Sequence, residues 1–166
     1  YAAAVVAGVL SLEDGIRLIA ARGRLIKELC AAGEGGMTAV FSPEAEVQAA
    51  IRELTPEQQG MVALAGVNGP KLTVVSGRKE LAQLVVQKTG AGSKELKVSH
   101  AFHSPLMAPM LDAFRAELAS AQSLQPAGGS GGIRFVSTVS GAEATTQWPQ
   151  QASGCAAAPR ACAAPP

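Results

Sequence analysis

The stretch MTAVFSPEAEVQAAIRELTPEQQGMVALAGVNGPKLTVVSGRKELAQLVVQKTGAGSKELKVSHAF, residues 37–102, decides the fold. Met37–Phe41 is a short apolar run between Gly33–Gly36 and Ser42-Pro43, which reads as a strand. Ser42 followed by Pro43 reads as an N-cap and a first-turn proline, opening a helix through Ala49 and Ile51 to Leu54. MVALAGV (61–67) and LTVVSG (72–77) are two more strands, with Asn68-Gly69-Pro70 as the turn between them. Residues 78–88 form a second helix, closed by Gly90 and Gly92, and ELKVSHAF (95–102) is a fourth strand.

The order strand, helix, strand, strand, helix, strand is the ferredoxin-like βαββαβ pattern, with both helices on one face of a four-stranded antiparallel sheet. Before it, YAAAVVAGVL (1–10) is a helix of small residues that expects close neighbours on all sides. Ser11, with Asp14 three residues on, caps a longer helix running to about Ala32. Its apolar positions Leu12, Ile16, Ile19, Leu25, Ile26 and Leu29 approximate helical spacing. After the stretch, Ser104-Pro105 opens a helix with Leu106, Met110, Phe114 and Leu118 on one stripe. Pro126–Gly132 is a linker and IRFVSTVSG (133–141) a strand. Beyond Ala144 the chain is rich in Ala, Pro and Gln and lacks branched apolar residues, so an unstructured tail is expected.

Composition narrows the function. The 166 residues carry 14 basic and 13 acidic side chains, net +1, which leaves no electrostatic footprint for nucleic acid or an anionic membrane surface. Three cysteines, Cys30, Cys155 and Cys162, are neither a disulfide framework nor spaced as zinc ligands, and they fit a reducing compartment. No apolar run reaches the roughly 18 residues of a membrane helix. The apolar start lacks a basic region, so it is not read as a signal peptide. The first residue is Tyr1, not Met, and the chain is expected to begin inside a larger protein.

Few residues invite chemistry. His103, in SHAFHSP between a strand and a helix, could serve as a general base in a cleft; equally it could cap the helix or pack in a core. His100 and Phe102 flank the same junction and, on a strand, share a face; Phe102 reads locally as a packing residue. Arg22, among Ala, Gly, Leu and Ile in AARGRLI, is a candidate for a partly buried guanidinium needing an anion, whether a structural carboxylate or a ligand. Arg17 and Arg24 read as solvated. Gly128-Gly129-Ser130-Gly131-Gly132 formally matches a nucleophile elbow, but it sits in a glycine linker before a strand, where no strained strand–turn–helix can form. No phosphate-binding loop or dinucleotide fingerprint is present.

Taken in order, these segments resemble the malonyl-CoA and acyl-CoA acyltransferase domains of modular polyketide synthases and fatty acid synthases, over roughly residues 1–141. In that family a Gly-His-Ser-x-Gly-Glu motif directly precedes a stretch like YAAAVVAGVLSLEDGIRLIAARGRLI. The resemblance therefore places the nucleophilic serine four positions before Tyr1. It makes Arg22 the arginine that binds the free carboxylate of a malonyl unit, and His103, in VSHAFHSPLM, the catalytic histidine. VNGPKLTVVSG, with Asn68, matches a strand–turn–strand near the active site. His100-Ala101-Phe102-His103 is similar to the form typical of malonyl-selective domains; methylmalonyl-selective ones usually read Tyr-Ala-Ser-His.

The resemblance implies an α/β fold in which residues 37–102 are the ferredoxin-like small subdomain. Residues 1–36 and 103–144 would be incomplete parts of an α/β-hydrolase-like large subdomain, and 145–166 a disordered or non-native tail. That tail resembles nothing in the family and looks like a shifted reading frame of a GC-rich gene. The implied activity is ping-pong transfer of a malonyl unit from malonyl-CoA to an acyl carrier protein. The implied setting is the cytoplasm, beside a ketosynthase domain on the same polypeptide. Neither metal nor redox cofactor is expected. Without the serine, the 166 residues alone are expected to be inactive; the other reading is a damaged fragment or a non-enzymatic ferredoxin-like interaction module.

Overall fold

The computed structural model describes residues 1–120, with 133, 134, 136 and 143. The strand expected at 133–141, the linker before it and the tail lie largely or wholly outside the described residues. The described residues form two units: 1–28 with 110–120 and the four later residues, and 29–109.

The second unit is a mixed α/β layer with a small antiparallel sheet. Its strands are β1 (Gly35–Val40), β2 (Val62–Gly69), β3 (Leu72–Arg78) and β4 (Ser93–Leu96), in spatial order β2-β3-β1-β4. All three pairings are antiparallel, with Val40 opposite both Thr73 and Ser93. Helix α3 (Glu44–Arg52) follows β1, and α5 (Lys79–Thr89) follows β3. Strand alternation sends Val40, Val62 and Val75 to one face, where they share a core with Val47, Ala50 and Leu54 below α3, and with Leu81, Ala82 and Val85 from α5. Val40, Val47, Val75 and Val85 are fully buried, each contributing about 1.5–3 kcal/mol of apolar transfer. Thr73, buried among them, donates its hydroxyl to the Ser42 carbonyl at 3.0 Å. Gly90, in the left-handed conformation at φ 62°, ends α5 by capping, with its N–H on the Val86 and Gln87 carbonyls.

Four boundaries of these strands and helices depart from the sequence reading, and in the first unit the helix read over 1–10 covers only Ala2–Val6. Pro43 is itself the N-cap of α3; Ser42 lies before it and donates to the Glu46 carboxylate. A short helix, α4 (Pro56–Gln59), intervenes before β2, held by a reciprocal capping box between Thr55 and Gln58 with Pro56 in the first turn. Asn68 is the second-last residue of β2, at a register shift, and the turn falls at Pro70-Lys71. β4 stops at Leu96, so residues 97–102 are not strand. The reason is local. Val98 N–H turns back to the Leu96 carbonyl, which ends the extended run, and the chain then brings Ala101 and Leu106 over Gly35 at the start of β1.

In the first unit, α1 (Ala2–Val6) packs closely on α2 (Leu12–Leu29): a Cβ on Gly15 would stand 2.6 Å from Val5 Cγ2. The Ser11 hydroxyl accepts the Asp14 N–H at 3.0 Å, as the cap reading requires. The buried side of α2 is Gly15, Leu18, Ala21, Leu25 and Ile26. Leu12, Ile16, Ile19 and Leu29 are exposed, so the helix is apolar on two sides and periodicity alone did not select between them. The helix expected from Ser104 begins, at the end of the second unit, as a 3-10 helix (Pro105–Met110), because Pro109 cannot donate to an α-helical ladder, and becomes α6 of the first unit at Leu111–Ala119. Phe114 meets Tyr1 edge-on at 6.4 Å, and Arg24 bridges α2 to Glu117 of α6 at 2.9 Å.

Candidate active site

The candidate residues are divided between the units: His100, Phe102, His103 and Asn68 lie in the second and Arg22 in the first. In the second unit, His100, Phe102 and His103 lie in the irregular segment that leaves β4. Phe102 N–H donates to the His100 carbonyl at 3.0 Å, a tight turn that brings the two rings to 6.0 Å between centroids. A turn, not strand alternation, therefore brings them together. His100 is buried; its Nδ1 lies 3.0 Å from the Ser99 hydroxyl, and its Nε2 has no partner among the described residues. Phe102 is half-buried.

His103 is exposed and has φ 62°, the one non-glycine with positive φ among the described residues. Left-handed backbone costs an L-residue about 1–2 kcal/mol, so the surrounding contacts must hold it there. Ser104 follows it, buried, donating to the Ala101 carbonyl at 2.7 Å and accepting the Leu106 N–H at 3.3 Å. The sequence reading used Ser104 only as a helix opener. Its turn-forming role was signalled by a serine before a proline at a strand exit. Asn68 lies on the hairpin, exposed at the end of β2, and no hydrogen bond or ring contact among the described residues joins it to His100 or His103.

Arg22 belongs to the first unit, midway along α2. Three arginines on this helix differ in surroundings. Arg17 pairs with Asp14 at 3.2 Å, and Arg24 with Glu28 at 3.2 Å and Glu117 at 2.9 Å, all at the surface. Arg22 is half-buried and has no carboxylate or hydrogen-bond partner among the described residues. Its guanidinium is close enough to Tyr1 to act on the phenol. Burial pushes the Tyr1 pKa above its ordinary value, and the Arg22 charge pulls it partly back. A half-buried fork of donors without an anion is suited to bind a carboxylate from outside the chain.

Among the described residues no group of three His, Cys, Asp or Glu side chains is placed to hold a metal ion, and no helix is long and apolar enough to cross a membrane.

The chain as a whole is similar to known proteins. The family described as "Acyl transferase domain" matches residues 1–153. The chain is 45% identical to Polyketide synthase GfsA of Streptomyces halstedii over 143 residues, 84% of the chain and 2% of that protein. It is 47% identical to Mycoketide-CoA synthase of Mycobacterium tuberculosis over 117 residues, 69% of the chain and 3% of that protein. Among solved structures, the acyltransferase domain from the second module of the salinomycin polyketide synthase matches with a TM-score of 0.72 and 41% identity, over 86% of this chain and 32% of that one. The malonyl CoA-acyl carrier protein transacylase of Coxiella burnetii matches with a TM-score of 0.79 and 26% identity, over 99% of this chain and 50% of that one. The chain thus spans a small part of these relatives and at most half of these solved chains. With residues 1–153 matched and the mixed α/β architecture shared, the chain belongs to the acyl transferase domain family, that of the acyltransferase domains of polyketide synthases.

Proposed function

We propose that the parent domain moves a malonyl unit from malonyl-CoA to an acyl carrier protein, using a serine upstream of Tyr1 and the histidine and arginine of this chain. The observation that carries the malonyl assignment is the contrast on α2. Arg17 and Arg24 are neutralised by carboxylates of the chain, while half-buried Arg22 has none among the described residues. A dicarboxylic acyl group would bring the missing carboxylate. The names of two relatives are consistent with this: the Coxiella burnetii enzyme is a malonyl CoA-acyl carrier protein transacylase, and GfsA is a polyketide synthase.

In the proposed reaction the serine oxygen attacks the thioester carbonyl while His103 takes the serine proton. The C–S bond breaks, the proton passes from His103 to the departing CoA sulfur, and an acyl-enzyme ester remains. The phosphopantetheine thiol of the carrier protein then gives its proton to His103 and attacks the ester, and His103 returns the proton to the serine oxygen. Nucleophile and base suffice, so the proposed chemistry requires no metal or redox cofactor. Exposure of His103 on a turn suits a base that must meet two successive substrates. The rest of the reading follows the same source: Asn68 beside the acyl site, a ketosynthase domain on the same polypeptide, a cytoplasmic setting, and a ferredoxin-like small unit. The strand order β2-β3-β1-β4, with α3 and α5 sharing one core, supports the last of these.

The test uses the complete parent domain with malonyl-CoA and acetyl-CoA as competing donors. Arg22→Ala is expected to lower kcat/KM for malonyl-CoA about 10–100-fold, the worth of a hydrogen bond to a charged group, and to leave acetyl transfer within a few-fold. Equal losses for both donors would remove Arg22 as the carboxylate site.

A further inference from the structure

We infer that Ser104 is a positioning residue for His103, its buried hydroxyl holding the histidine backbone in the left-handed conformation from which the imidazole projects. The inference rests on the proposed role of His103 as general base and adds a second residue to it.

His103 cannot hold this conformation by itself. Its side chain is exposed and has no hydrogen bond to the described residues, yet its φ of 62° is disfavoured for any L-residue. The residues on either side supply the constraint. Ser104 Oγ donates to the Ala101 carbonyl at 2.7 Å, closing a loop that contains only Phe102 and His103 between its ends. The same oxygen accepts the Leu106 N–H at 3.3 Å, and the Ser104 carbonyl accepts the Met107 N–H at 3.1 Å, which fixes the start of the 3-10 helix. One hydroxyl therefore joins the backbone before the histidine to the backbone after it. Ser104 is 5% exposed and Ala101 2%, so water has little access to replace these bonds. The inner wall of the loop is closed as well. Ala101 and the Leu106 side chain lie against Gly35, where even a built Cβ would be within 2.6 and 2.8 Å of them. A loop that loses the hydroxyl can relax only outward, and His103 moves with it.

The experiment is a double-mutant cycle in the complete parent domain, reading the rate of acyl-enzyme formation at saturating malonyl-CoA. Ser104→Ala is expected to slow acylation about 10–100-fold, the scale of a misplaced catalytic group, with KM changed less than about threefold. Ser104→Thr, which keeps a hydroxyl, is expected to retain most of the rate. In a His103→Ala background, Ser104→Ala is expected to cost nothing further, because a residue that acts through the imidazole is silent once the imidazole is gone. If Ser104→Ala does not fold, Ser104→Cys, similar in volume but a weak donor, takes its place in the cycle. The same loss in both backgrounds, or full acylation by Ser104→Ala beside a dead His103→Ala, overturns the inference and leaves His103 as base. Full acylation by His103→Ala overturns the parent reading, and the inference with it.

Discussion

Gly35 and Ala101 approach so closely that a methyl group on Gly35 would stand 2.6 Å from Ala101 Cβ. The first residue of β1 is thereby the floor of the turn that carries His100, Phe102 and His103. Because Leu106 Cδ1 is also within 2.8 Å of that position, Gly35→Ala must push the turn away or shift the strand. The expected cost is about 1–3 kcal/mol, the range for overpacking, measured by urea unfolding. Gly23, in α2 with nothing within 4 Å of its Cβ position, is the control: Gly23→Ala should stabilise by about 0.5–1 kcal/mol.

The left-handed backbone of His103 makes a prediction opposite to ordinary intuition about glycine. Both His103→Ala and His103→Gly remove the imidazole, but only alanine keeps the Cβ that makes φ 62° costly. The glycine variant should be more stable than the alanine variant by about 1 kcal/mol in thermal or urea unfolding. Equal stabilities would show that residue 103 is not held left-handed in solution.

Tyr1 is the chain's single tyrosine, so absorbance at 295 nm reports its ionisation alone. Burial raises its pKa above the ordinary 10.0 while the Arg22 charge opposes the rise. The phenol should therefore titrate above 10.0, and Arg22→Ala should move it higher still. The sign for stability follows. A phenol whose pKa is raised in the folded state is harder to ionise there than in the unfolded chain. Its contribution is intact below pH 10 and is lost as pH climbs through the folded value. No change in the Arg22→Ala titration would separate the two side chains.

Phe102 bears on selectivity under the proposed function. Its half-buried ring stands beside His103 and 6.0 Å from the His100 ring, so exchange of the pair to serine and tyrosine changes the volume at one place. In the parent domain, Phe102→Ser with His100→Tyr should raise methylmalonyl relative to malonyl transfer. The shift should be partial, because one methyl group is worth about 1–3 kcal/mol in a pocket. An unchanged ratio of specificity constants would leave Phe102 as packing only.

Much of this molecule was legible from the sequence, for a definite reason. β1, β2 and β3 are short apolar runs bounded by turn residues, and α3 and α5 lie between them, so the order of elements is readable along the chain; Val40, Val75, Val47 and Val85 from these elements meet in one core. Turn and cap chemistry is equally local, and Ser11 and Gly90 act as their neighbours dictate. The ordered motifs from the apolar start through Arg22 to His103 identified the family for the same reason, since motif order is a property of the chain.

What only the tertiary structure decided depends on who meets whom. α2 offers two apolar sides, and periodicity cannot say that Leu18 and Leu25 are buried while Ile16 and Ile19 are exposed. The segment 97–102 reads as strand by composition, yet it leaves the sheet after Leu96, and Ala101 comes to lie over Gly35 at the start of β1. That departure forms the turn, and the turn puts His103 in the left-handed region with Ser104 bonded across it. The identity of the candidate base was written in the sequence, but its strained conformation arises from contacts that exist only once β1 and the segment after β4 have come together.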